Sequence, residues 1–239
     1  TSTSGGYDWV SAGKELFVTA FGQVDSVDPV DVDGDGFTEV GVRDMTSFGM
    51  RAGYLLLNGD ARISLDFAHV DEERRGGDRL DLPESMAQIA EAVQTDRDTL
   101  SVGWLHHVSE TFEYRFNVSH ADTRRDTYYG SGMDPNAYGS TDNPMLVLDT
   151  QFNHYAGSHI LSWGVQFSRD ELNDEQPAYD RFIRDKYENT GVYFQDNWAF
   201  GNGWELVYGA RFDDYSEIED SVISPRVALK RSPRNDLTW

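Results

Sequence analysis

Apolar and polar residues alternate with a period of two through most of the chain. Trp204, Leu206, Tyr208, Ala210 and Phe212 fall on one side of an extended segment, and Glu205, Val207, Gly209, Arg211 and Asp213 fall on the other. A strand with one apolar and one wet face has this signature. Residues 191–200 form a second such segment, joined to the first by Gly201, Asn202 and Gly203, a connection short enough for a hairpin. Residues 222–230 resume the alternation, with Ile223, Pro225, Val227 and Leu229 on one side. The same reading predicts strands at residues 16–24, 48–57, 62–68, 100–109, 112–119, 146–152 and 161–168, about ten in all. Residues 1–13 have no clear period, although Tyr7, Trp9 and Val10 suit the end of an earlier strand. Residues 82–95 place Met86, Ile89, Ala90 and Val93 at helical spacing behind Pro83, which predicts a short surface helix.

The connections alternate in length. Tight turns are expected near Asn58, Glu110, Gly157, Asn202 and Asn235, and long polar loops over 25–42, 71–98, 123–144, 170–186 and 214–221. Successive antiparallel strands bring every other connection to the same end, so one rim is neat and the other elaborate. Transmembrane barrels have this asymmetry, with short periplasmic turns and longer outer loops. Aromatics near strand ends, including Trp198, Trp204, Tyr155 and Phe112, suit an interfacial girdle. Arg51, Arg62, Arg115, Arg211, Arg226, Asp66, Glu113, Glu205 and Asp213 on the wet faces suit a polar lumen better than a packed interior. A soluble antiparallel protein with one solvated face is the alternative.

Composition narrows the classes. The 239 residues are 38% hydrophobic and 13% aromatic with 22 glycines, too patterned and too aromatic for disorder. A formal charge of −22 argues against nucleic acid as a partner and against a basic membrane-surface helix. No apolar run is long enough for a spanning helix, but spanning strands need only about 9–11 residues. The absence of cysteine removes disulfide and thiolate-zinc chemistry. The opening TSTSGG carries no signal-peptide pattern; either an export signal was removed or the sequence is an excised piece.

The segments GVYFQDNWAF, WELVYGARFDDYS and SPRVALKRSPRNDLTW resemble the barrel of TonB-dependent outer-membrane receptors, where a QDxW-like strand end precedes a GxRxDxY-like strand and an SPR strand. RRDTYYGSGMDPNAYGSTDN, residues 124–143, is similar to a loop of the cobalamin and siderophore receptors of that family. The resemblance covers most of the chain from about Leu16. It implies an all-β, antiparallel transmembrane β-barrel segment with long outer loops, incomplete relative to a family barrel of about 22 strands around a plug. Residues 1–239 are thus expected to be one partial barrel domain without plug or closing strands, Trp239 starting a strand. The implied setting is the outer membrane of a Gram-negative bacterium. The implied partners are membrane lipid and lipopolysaccharide, the TonB complex through parts outside this chain, and a ferric siderophore or other metal chelate, or cobalamin.

Residues 31–39 read DVDGDGFTE. Carboxylates at alternate positions with a glycine for the sharp turn are how calcium loops converge hard oxygen ligands. Asp31, Asp33, Asp35 and Glu39 are therefore candidate Ca2+ ligands, with the Phe37 carbonyl beside them, against the alternative of a solvated acidic loop. Val42 stands at the twelfth position, where a bidentate Glu is expected, so Asp44 or another loop would have to complete the shell. The resemblance adds that some relatives order outer loops with calcium. Tyr128, Tyr129 and Tyr138 are candidates to line a ligand mouth, or else pack their loop. Arg124 with Arg125, and Arg74 with Arg75, are candidates to meet an anionic ligand or lipopolysaccharide phosphates, or else pair with local acids. His106 and His107 are adjacent on a strand and point apart, which prevents a shared metal. No HExxH, GxSxG or phosphate-binding glycine loop is present, so no enzyme is expected. An outer-membrane barrel hydrolase and a soluble calcium-dependent binding module remain as alternatives.

Overall fold

A computed structural model describes residues 1–201 and 203–232. Among them, eleven strands form one antiparallel sheet in strict sequence order. They are β1 (Ser2–Val10), β2 (Leu16–Val27), β3 (Val42–Leu56), β4 (Ala61–Gly77), β5 (Ile89–Ser109), β6 (Phe112–Ser131), β7 (Tyr138–Ala156), β8 (His159–Gln176), β9 (Arg181–Ala199), β10 (Trp204–Tyr215) and β11 (Val222–Arg231). The meander follows from the short connections, because a hairpin turn returns the chain beside the strand it has just left.

Cross-strand register sorts the side chains. Leu65, Val102 and Val118 lie opposite one another on one face, as do Val165 and Val192. These side chains are 38–50% exposed, from Leu65 at 38% to Val192 at 50%. Among the described residues no second layer covers them, which suits a wall whose outer face meets hydrocarbon and whose backbone pairs strand to strand. The other face is a polar ladder. Asn153 Nδ2 donates to Glu113 at 2.8 Å, Ser162 Oγ donates to Asn153 at 2.7 Å, Tyr193 Oη donates to Gln151 at 3.3 Å, and Arg211 donates to Gln166 at 3.0 Å. Phe17 and Phe21 belong to this inner face, directly opposite Gly53 and Gly49, where neither glycine has room for a Cβ beneath the ring. Aromatics gather at the tight-turn end. His159 stacks on Trp198 at 5.6 Å, and Arg231 lies over the Trp204 ring at 5.1 Å, as in an interfacial belt.

The structure corrects three expectations. Residues 82–95 are not a helix: a 3-10 turn at Glu84–Met86 leads into β5 from Ile89. Ile89, Ala90 and Val93 fit either period, and backbone pairing with β4 on one side and β6 on the other decides for the strand. Residues 2–10 form a full strand, held in register on β2 despite their weak pattern. Three of the expected long loops, 71–98, 123–144 and 170–186, are largely strand, because β4 to β9 extend to Gly77, Ile89, Ser131, Tyr138, Gln176 and Arg181. There polar residues occur on both faces, so backbone pairing persists where regular hydrophobic alternation stops. The expected turn at Asn235 and the strand start at Trp239 lie outside the described residues, as does Asn202 itself. Around Asn202, Trp204 N donates to Gly201 O at 3.1 Å.

Candidate functional site

The strand extensions raise a rim beyond the apolar band, and its two faces carry different chemistry. Tyr128 pairs directly with Tyr138 on the continuation of the apolar face. Tyr128 is 1% exposed and packs with Ala87, Ala90 and Ala137. Its hydroxyl donates to the Asp134 carbonyl at 2.9 Å, and its ring meets Tyr138 edge-on at 4.8 Å. Burial pushes the Tyr128 phenol above its ordinary pKa. Tyr138 in turn donates to Glu84 at 3.3 Å. These two tyrosines hold the 78–88 connection against the outside of the wall. Arg124 shares their face and pairs with Asp122 at 3.0 Å and Asp142 at 3.8 Å.

Tyr129 and Arg125 alternate to the inner face. The Tyr129 carbonyl accepts a hydrogen bond from the Tyr179 hydroxyl. Tyr129 and Tyr179 line a concavity of about 900 Å³ together with Arg43, Arg74, Glu91 and Phe37. Arg43 stands opposite Arg74 in register. Arg43 binds Asp25 and Arg74 binds Glu72; the Arg43 guanidinium holds the Asp25 carboxyl below the usual range. Each arginine carries further N–H donors beyond those its partner takes up. Arg74 and Arg75, adjacent in sequence, face opposite sides, and Arg75 donates to the Gly76 carbonyl at 3.1 Å. The sequence pattern does not single out Arg43 and Glu91, which lie on polar strand extensions, or Tyr179, which ends the 3-10 turn Pro177–Tyr179 between β8 and β9; the folded arrangement brings them together.

The acidic loop sits beside this concavity. Its base is the Val30–Val40 bridge, and Thr38 N donates to Gly77 O at 3.1 Å, tying it to the end of β4. Asp31 accepts from Gly34 N at 2.6 Å and Gly36 N at 2.9 Å, and Asp35 accepts from Phe37 N at 2.8 Å. The two glycines have φ of 75° and 92°, a conformation that lets the loop close on itself. Carboxylate oxygens of Asp31, Asp33, Asp35 and Glu39 all lie within 4.8 Å of one another. Such a set of exposed, hard oxygen donors fits a Ca2+-like cation. Asp44 stands apart, within β3 and opposite Glu73.

The family model for the TonB dependent receptor-like β-barrel matches residues 33–239. The chain belongs to the TonB-dependent receptor family. Members are outer-membrane β-barrels of Gram-negative bacteria that act as receptors and transporters rather than enzymes, so the hydrolase alternative has no support. No curated protein sequence matches. Among solved structures, the siderophore receptor PirA from Acinetobacter baumannii aligns at 14% identity with a TM-score of 0.78, over 98% of this chain and 38% of that one. The ferric enterobactin receptor PfeA from Pseudomonas aeruginosa aligns at 14% identity and 0.75, over 99% and 40%. The FrpB iron transporter from Neisseria meningitidis aligns at 13% identity and 0.74, over 98% and 43%. The TonB-dependent receptor chain described here therefore spans about two fifths of the length of these structures, and its wall has the same fold.

Proposed function

We propose that this chain is a wall segment of a receptor that binds an iron chelate at its outer rim and admits it by TonB-dependent active transport. On this reading a plug domain and further strands belong to the same protein, and they provide the TonB contact and pair with β1 and β11. The observation that carries the proposal is the inner-rim concavity, where Arg43, Arg74, Tyr129 and Tyr179 converge. Guanidinium forks recognise anionic oxygens, and tyrosines supply stacking faces with a polar tip, which suits a ferric siderophore. The siderophore and iron receptors among the similar structures support the same ligand class. Cobalamin is the second ligand considered, supported by the likeness of residues 124–143 to loops of cobalamin receptors. Calcium bound by Asp31, Asp33, Asp35 and Glu39 would fix the loop whose Phe37 and Glu39 line the concavity. Outward-facing Arg124 and Arg75 then meet lipopolysaccharide phosphates, while Tyr128 and Tyr138 support the binding face from behind.

The test is uptake by the full-length receptor in a Gram-negative host lacking its own receptors, offered labelled ferric siderophores or labelled cobalamin. We expect iron uptake that stops when a protonophore collapses the energy supply. Arg74→Gln should weaken siderophore binding about tenfold, and Asp33→Asn should reproduce the effect of a calcium chelator on binding. Uptake of neither ligand class, or binding indifferent to Arg74→Gln, would overturn the ligand reading. Chelator-insensitive binding would overturn the calcium reading.

A further inference from the structure

A second group of ligating side chains lies on the outer face, away from the rim concavity and the acidic loop. Phe67 and Leu100 are the last apolar pair on β4 and β5, and the next pair outward is His69 with Asp98. The pair after that is Asp71 with Asp96, and Asp98 also faces Asp122 of β6. All share one side of the sheet, because side chains two residues apart on a strand point the same way. His69 Nδ1 lies 2.9 Å from Asp98 Oδ1. One nitrogen of His69 and one carboxylate oxygen each from Asp96 and Asp98 lie within 4.8 Å of one another.

We propose that His69, Asp96 and Asp98 bind a divalent transition-metal ion at the outer edge of the apolar band, clamping β4 to β5. Imidazole with carboxylate selects ions of the zinc and copper type over calcium. A tetrahedral shell with bonds of about 2.1 Å has donors about 3.4 Å apart, a spacing these side chains reach by small rotations. The charge balance also calls for a cation. Like charges directly opposite on neighbouring strands repel, and Asp71–Asp96 and Asp98–Asp122 are two such pairs side by side. Arg124 stands opposite Asp96 in register, but its guanidinium engages Asp122 and Asp142, and among the described residues no Arg or Lys lies within ion-pair distance of Asp96 or Asp98. Phe48 packs against the His69 ring at 5.0 Å, limiting its rotation toward other ligands.

The experiment is a Cu2+ titration of the full-length receptor in detergent, read by EPR for hyperfine coupling to imidazole nitrogen and repeated with Zn2+ as competitor. Heat-modifiable gel mobility checks that each variant is a folded barrel. We expect one nitrogen-coupled equivalent that Zn2+ displaces. His69→Gln should abolish it, Asp98→Asn should weaken it at least about tenfold, and it should persist in Asp31→Asn/Asp33→Asn, where the acidic loop is disabled. The same nitrogen coupling and stoichiometry in folded His69→Gln would overturn the proposal, as would loss of the signal only in the loop variant. Should His69→Gln fail to fold, Asp96→Asn/Asp98→Asn decides on the same readout. Neither result depends on whether the receptor transports iron.

Discussion

At Tyr128 and Tyr129, two adjacent and chemically identical side chains are sent to opposite sides of one wall. Tyr128 ends buried under the 78–88 connection, and Tyr129 borders the inner concavity. Their burial difference has a pH consequence. The neutral phenol of Tyr128 is favoured in the folded state, so its stabilising contribution is present below the ordinary tyrosine pKa of about 10 and is lost as pH rises through the elevated folded value. An alkaline titration of phenolate absorbance, full-length receptor minus its Tyr128→Phe variant, should therefore isolate a component that ionises later than the bulk tyrosines. A difference curve that follows the bulk would contradict the assigned packing. Nothing in the string TYYGS distinguishes the two tyrosines beyond alternation. The pairing of Tyr128 with Tyr138, which settles the matter, depends on a register the sequence does not spell out.

Among the elements, legibility followed hydrophobic contrast. The alternation at residues 204–212 marks a strand that the structure extends to Tyr215, and the inner and outer faces of β2 to β10 agree with the pattern through the apolar band. Outward of Phe67 and Leu100 the contrast weakens, since polar side chains occur on both faces of the extensions. There residues 71–77 and 123–131 read as loop although they carry complete ladders. The helix expected at 82–95 failed for the same reason, because its sparse apolar residues suited two periods and tertiary pairing chose one. Proteolysis separates strand from loop directly. Trypsin added to cells displaying the receptor should cut first after Arg79, in the 78–88 connection. Arg74, Arg75, Arg124 and Arg125 should be spared because their backbones are paired on both sides. Equally fast cleavage at Arg124 or Arg125 would show that the extensions are loops after all.

Among the described residues the only buried hydrophobic cluster is the small one around Tyr128, and the sheet otherwise leaves its apolar face uncovered, which is why an acidic composition and abundant exposed aromatics coexist. Charge is concentrated on the lumen ladder and the rim, and the apolar face is left for lipid. The acidic loop and the family motifs were legible because they are local in sequence. The concavity of Arg43, Arg74, Tyr129 and Tyr179 was not, since it joins strands far apart in the chain. The central claim is that one face of the wall meets hydrocarbon and the other a polar lumen, and the chain has no native cysteine to interfere with labelling. The most direct test places single spin-labelled cysteines at Val192, Tyr193, Phe194 and Gln195 of the full-length receptor in membranes, and compares relaxation by oxygen with relaxation by a water-soluble nickel chelate. Oxygen access is expected at 192 and 194, and nickel access at 193 and 195. Uniform nickel access at all four positions would contradict the central claim.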